Sequence, residues 1–208
     1  MAAITAALIK QVREETGAGM MDVKKALTEA EGDVARAKEI IRAKGIQAAG
    51  KREGRKAQEG TIASQVVESA NGQTGYAVEL NSETDFVAKN EVFQAFVKDL
   101  ALVVANENPA DVEALKACTY PGTDRTVSDV TADKVLAIGE NIQIRRFVRY
   151  AEGVNVPYIH MGGKIGVLVN MEVEGIDAAQ VTELGKDVAM QIAAMNPAFL
   201  DKLSLIHI

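Results

Sequence analysis

The sequence predicts an α+β protein, in which a three-helix N-terminal unit precedes two related α+β units with small antiparallel sheets. Three observations predict it. Apolar residues recur at helical spacing in three short stretches before residue 45. Period-two alternation takes over from residue 61, with a turn signal between two strands. One strand-loop-helix pattern then occurs twice.

Taken in order, Ile4, Leu8, Ile9 and Val12 predict a helix over residues 4–15, interrupted by Thr16-Gly17-Ala18-Gly19. Asp22, as a cap before Val23, Ala26 and Leu27, predicts a second over residues 22–29. Asp33 opens a third, whose Val34, Ala37, Ile40 and Ile41 run to a stop near Gly45. Residues 45–60 hold four glycines and four basic side chains, so residues 46–60 read as a linker behind a unit of residues 1–45. From Thr61 the alternation of Ile62, Ser64, Val66 and Glu68 gives a strand. Ala70-Asn71-Gly72-Gln73 gives a hairpin turn, and residues 75–81 pair back. A helical pattern starts at Glu91, and residues 111–133 are polar, with one helix around residues 112–118. Residues 138–150 lead into a strand, and residues 158–169 read as one Gly-kinked strand beside it. The two core units are accordingly expected at residues 61–137 and 138–208.

The repeat supports that division. Lys98-Asp99-Leu100-Ala101-Leu102-Val103-Val104-Ala105-Asn106-Glu107-Asn108-Pro109 recurs as Lys186-Asp187-Val188-Ala189-Met190-Gln191-Ile192-Ala193-Ala194-Met195-Asn196-Pro197, with six of twelve positions identical. Upstream, Gly75-Tyr76-Ala77-Val78 matches Gly166-Val167-Leu168-Val169. The loops between differ. The first holds Glu79-Leu80-Asn81-Ser82-Glu83-Thr84-Asp85-Phe86-Val87; the second holds Met171-Glu172-Val173-Glu174-Gly175-Ile176-Asp177 and no Thr-Asp-Phe-Val, the span from Val169 to Lys186 being three residues shorter than that from Val78 to Lys98. A need of the scaffold would appear in both copies. Residues 84–87 are therefore the leading functional candidates, placed in a connecting loop where binding residues concentrate. A Phe exposed there can bury its ring in a partner, worth roughly 1.5 to 3 kcal/mol; the bland alternative is a ring folded under the next helix.

Composition bounds the rest. The chain of 208 residues is 48% hydrophobic, enough for a real core, and carries a formal charge of minus 6, which argues against general nucleic-acid binding. Residues 1–60 hold 12 basic and 9 acidic side chains, whereas residues 61–208 hold 11 and 20, so the two parts read as different modules. The single cysteine, Cys118, excludes an internal disulfide and any cysteine cluster for metal. No apolar run is long enough for a membrane span and the start lacks a secretory signal, so a soluble, cytoplasmic protein is expected. Gly17-Ala18-Gly19-Met20-Met21-Asp22 follows a helix and puts Asp where a dinucleotide fingerprint needs its third Gly. Gly162-Gly163-Lys164 lacks the other residues of a phosphate loop. Only two histidines are present, and His160, beside glycines, reads as a structural hydrogen-bonding residue. No active site, cofactor, metal or directly bound nucleotide is expected. Of the adjacent Met20 and Met21, one is expected to be exposed at a turn, as a soft contact for a partner or as a harmless surface residue.

With these residues laid out, the chain resembles the bacterial translation elongation factor Ts family, the guanine nucleotide exchange factors of the GTPase elongation factor Tu. The resemblance rests on Arg13 with Thr16-Gly17-Ala18-Gly19-Met20-Met21-Asp22-Val23-Lys24-Lys25-Ala26-Leu27, on residues 79–87, and on Ile138-Gly139-Glu140-Asn141-Ile142 with Arg145-Arg146. It covers nearly the whole chain, to about Leu203. It implies that residues 1–45 are similar to ubiquitin-associated domains, and that Thr84, Asp85, Phe86 and Val87 enter the GTPase near its bound Mg²⁺, with Phe86 as a wedge. It further implies that Arg13, Met20, Met21 and Lys24 dock the N-terminal module, and that Ile138, Gly139 and His160 make further contacts. Fuller family members continue past Pro197 with a coiled-coil insertion, a last strand and a helix. The second core unit is therefore expected to be incomplete and the chain, ending in apolar Ser204-Leu205-Ile206-His207-Ile208, to be cut short. Two other classes compete: an adaptor using the three helices alone, and an RNA-binding translation protein using residues 51–56 with Arg145 and Arg146, which the net charge opposes.

Overall fold

The computed structural model describes residues 3–69 and 72–198. Helices α1 (Ala6–Thr16), α2 (Met20–Glu29) and α3 (Val34–Arg52) open the chain. Thr5 caps α1 by accepting the Leu8 N–H, and Asp33 caps α3 by accepting the Arg36 N–H. Val12, Val23, Ala26, Leu27, Ala37 and Ile41 fill the small core between them. Asp22 is not the cap of α2; Gly19 takes that position, and Asp22 sits in the first turn, where the helix dipole favours its charge. Nor does α3 stop near Gly45. It runs through the stretch read as linker to Arg52, because Gly45 is buried where α3 crosses α7 (Val127–Ile138). A Cβ at Gly45 would lie 3.1 Å from Asp133 Oδ1 and 3.3 Å from the Ala132 carbonyl oxygen, so this glycine is required by a close contact. The Arg42–Asp129 ion pair, 2.7 Å, closes the same crossing.

Strands β1 (Glu59–Ser69) and β2 (Gly72–Ser82) form the expected hairpin; Ala70 and Asn71 of its turn lie outside the described residues. β3 (Gln143–Tyr150) pairs antiparallel with β2, so the strand after residue 138 belongs to the first sheet and not to the second unit. The reason is burial: Tyr76, Val78 and Leu80 alternate onto one face of β2 and bury completely against α5 (Glu91–Glu107), through Phe93, Phe96, Val97, Leu100 and Val104. Such a central strand needs partners on both edges. Opposite Glu79 and Leu80 a bulge leaves Arg145 without a register partner, which lets Arg145 and Arg146 both face solvent. A short helix α6 (Val112–Ala117) occupies the region expected, but α7 escaped notice because Ser128, Asp129, Thr131 and Asp133 mask its apolar face. Thr126 caps it, and Val127, Val130 and Val135 are buried.

Residues 158–169 are not one kinked strand. β4 (Val154–His160) and β5 (Ile165–Met171) form a separate antiparallel hairpin, because the chain reverses at Met161-Gly162-Gly163, with φ of 51°, 67° and 100°. Helix α8 (Ala178–Met195) packs on this hairpin through Gly185 and Ala189. The repeated Asn-Pro is a repeated cap: Asn108 ends α5 at φ 46°, ψ 54°, and Asn196 ends α8 at φ 44°, ψ 59°, both left-handed. Among the described residues the second unit has two strands where the first sheet has three, and Leu184 and Met195 of α8 stay exposed.

Candidate functional site at the turn after β2

Residues 84–87 are not loop. Thr84, extended at φ −124°, ψ 155°, caps a single helical turn, α4 (Asp85–Ala88), its hydroxyl accepting the Val87 N–H at 3.5 Å. At about 100° per residue, successive side chains take different sides. Ala88 is buried and Val87 packs on the core of the first sheet, which leaves Phe86 pointing away, 83% exposed. The ring is not folded under α5.

The turn is held from 56 residues away in the chain. Glu140 Oε2 accepts the backbone N–H of Glu83 and of Thr84, each at 3.0 Å, and Oε1 accepts the Thr84 hydroxyl at 2.6 Å. Glu83 returns the contact, its Oε1 accepting the Asn141 N–H at 2.6 Å. Asn141 Nδ2 donates to the carbonyl of Arg55 at 2.8 Å and of Glu53 at 3.4 Å, which ties in the end of α3. Gly139, left-handed at φ 86°, ends α7 and turns the chain so that Glu140 meets the turn. Two stretches singled out in the sequence, residues 79–87 and 138–142, thus meet. The sequence reading missed Glu140, Asn141 and Glu83 as a clamp.

Asp85 is paired. Lys89, four residues on, donates to its Oδ2 at 2.7 Å, and this hydrogen bond, followed by the Lys89 charge and a smaller effect of Lys164, holds the Asp85 carboxyl below its ordinary value. The same pair raises the Lys89 ammonium. The i, i+4 spacing was the available signal for Lys89. Lys164 lies just past the β4–β5 turn and pairs with Glu59 at 3.6 Å, so this turn neighbours the site. His160, at its edge, is exposed and shares a 3.1 Å hydrogen bond with the Tyr158 hydroxyl. Ile138 and Gly139, at the end of α7, are half-buried beside the clamp. Arg13, Met20, Met21 and Lys24 lie apart, at the corner between α1 and α2. Both methionines are exposed, 58% and 62%, not one of them, since the buried face of α2 is Val23, Ala26 and Leu27 and the core residue of the corner is Ala18.

The comparisons with known proteins meet this geometry. The family model "Elongation factor TS" matches residues 83–206, which begins at the clamp residue Glu83. The elongation factor Ts of Bifidobacterium adolescentis is 54% identical over 208 residues, covering 97% of this chain and 68% of that protein. The chain belongs to the elongation factor Ts family. Those of Syntrophotalea carbinolica, 50% identical, and Clostridioides difficile, 48% identical, cover 96% and 97% of the chain. The chain spans 65% and 66% of those two relatives' own length. The family is one of translation elongation factors.

Among the described residues no group of three or more His, Cys, Asp or Glu side chains is arranged to hold a metal ion, and no helix is long and apolar enough to cross a membrane. Cys118 is half-buried, its thiol pushed up by desolvation. Of the basic residues singled out for RNA, Arg55 pairs with Glu83 at 3.5 Å and Arg146 with Glu79 at 2.7 Å.

Proposed function

We propose that this chain is a guanine nucleotide exchange factor, no enzyme, which promotes GDP release from elongation factor Tu in the cytoplasm. The observation that carries the reading is Phe86: a fully presented ring on a turn whose backbone is clamped and whose neighbouring charge is paired. Asp85 and Phe86 enter the GTPase beside its Mg²⁺ site, with Thr84 as cap and Val87 as the anchor that keeps the ring outward. Mg²⁺ bridges nucleotide phosphates to protein oxygens, so disturbing its surroundings weakens GDP binding. By linkage, GDP must weaken the factor's own binding to the same degree. No covalent bond is made or broken.

Arg13, Met20, Met21 and Lys24 form a second contact, through which the module of residues 1–45 docks. Soft, exposed methionines flanked by cations suit an apolar patch with an acidic rim. Ile138, Gly139 and His160 extend the first contact, Ile138 and Gly139 directly preceding the Glu140 that holds the turn. Pairing of Arg55 and Arg146 with carboxylates favours a protein partner over RNA, because neutralised cations release few counterions from phosphates. The chain itself needs no nucleotide, cofactor or metal for this role.

The test is the rate of release of a fluorescent GDP analogue from elongation factor Tu with Mg²⁺ present, with and without this chain. Acceleration is expected; a folded chain that leaves the rate unchanged refutes the reading.

A further inference from the structure

We infer that Glu140 is a positioning residue for exchange: it sets the direction in which Phe86 is presented, without itself touching the GTPase. The inference rests on the exchange reading. Phe86 has little packing of its own, so its orientation is inherited from the backbone of the cap residue, Thr84. The donor side of that backbone is held by one carboxylate, which accepts the N–H groups of Glu83 and Thr84 and the Thr84 hydroxyl together, while the Thr84 carbonyl accepts the Ser82 hydroxyl at 3.0 Å. Hydrogen bonds to an ionised acceptor are the stronger kind, and three converging on one group define a direction as well as a distance. The return bond from Asn141 to Glu83 makes the clamp reciprocal, so neither segment rotates without breaking the other's contacts.

Glu140 is in turn rigidly mounted. It follows the left-handed Gly139 at the end of α7, and α7 is locked to α3 by the Gly45 crossing and the Arg42–Asp129 pair. The Asn141 amide bonds to the carbonyls at the end of α3. The wedge is therefore carried by a frame of two helices, and without the clamp the turn keeps the Ser82 hydroxyl on the Thr84 carbonyl, the Gln94 amide on the Ala88 carbonyl, the Lys89–Asp85 pair and the packing of Val87 and Ala88, none of which holds the Glu83 and Thr84 N–H groups. A turn that must be ordered anew at each encounter loses about as much as one freed backbone residue, roughly tenfold in affinity.

The experiment uses the full chain with Glu140→Ala and the conservative Glu140→Gln, which keeps one oxygen for the two N–H groups. NMR reads the amide shifts and hydrogen exchange of Glu83 and Thr84 in the free protein. GDP release from elongation factor Tu, titrated with each variant, separates the half-saturating concentration from the maximal rate. Glu140→Ala is expected to deprotect both amides and to raise half-saturation about tenfold with the maximal rate within about twofold, Glu140→Gln falling between. In a Phe86→Ala background Glu140→Ala should add much less than it does in the parent, because most of its effect passes through the ring. An additive loss there, or unchanged half-saturation despite deprotected amides, overturns the positioning role. Amides unprotected in the parent overturn the clamp itself. Should the parent not speed GDP release, the exchange reading falls and the role with it, while amides that still respond to Glu140→Ala identify the reading, not the clamp, as the failure.

Discussion

Phe86→Ala separates a residue kept for folding from one kept for binding. The ring is 83% exposed, so truncation removes almost no buried area, and the expected change in stability lies within about 0.5 kcal/mol. Phe93, fully buried under β2, provides the contrast: Phe93→Ala should cost about 3 to 5 kcal/mol, through lost transfer energy and the cavity left behind. In the complex the order reverses. A phenyl ring taken from water into the GTPase is worth roughly 1.5 to 3 kcal/mol, so Phe86→Ala should reduce stimulated GDP release roughly 10- to 150-fold. Urea melts of both variants and release of the fluorescent GDP analogue read the two quantities side by side. A melt of Phe86→Ala displaced as far as that of Phe93→Ala refutes the exposed placement. Undiminished release by a normally folded Phe86→Ala refutes the wedge.

The Asp85–Lys89 pair predicts a pH dependence. The Asp85 carboxyl is held below its ordinary value of 3.8, so the pair's contribution is present above that pH and is lost as pH falls through the depressed value. Lys89→Ala should move the Asp85 titration, followed by carboxyl NMR, back up toward 3.8; an unmoved titration would deny the pairing. At the helix crossing, Gly45→Leu places a side chain where a bare Cβ already meets Asp133 Oδ1 at 3.1 Å. It should prise α3 from α7 at a cost of about 1 to 3 kcal/mol in urea denaturation, and a variant as stable as the parent would show that the crossing is loose.

The groups that hold the Phe86 turn come from segments far apart in the chain. Acidic Glu140 and Glu83 meet backbone donors, while Arg55 and Lys89 balance the remaining charge, so the turn is fixed by polar contacts together with the packing of Val87 and Ala88, and Phe86 is the apolar side chain it leaves exposed. A second copy of the strand-loop-helix unit lacks these groups, and there the corresponding connection, between β5 and α8, carries no capped turn of this kind.

Local chemistry is what the amino-acid sequence by itself determined. The apolar spacing of α1, the caps at Asp33 and Asn108, the alternation of β1 and β2 and the repeated Asn-Pro are each decided within a few residues, and each is legible. The candidate Asp85-Phe86 was legible too, because only one of two copies carries it. Its helical turn was not, since a four-residue helix shows no periodicity. Tertiary contacts decided the rest. Gly45 reads as a helix stop until α7 lies against it, β3 reads as part of the second unit until the free edge of β2 claims it, and the Glu140 carboxylate meets its two N–H partners from 56 and 57 residues away. In each case the energy that settles the structure belongs to a pair of segments, and neither segment records it alone.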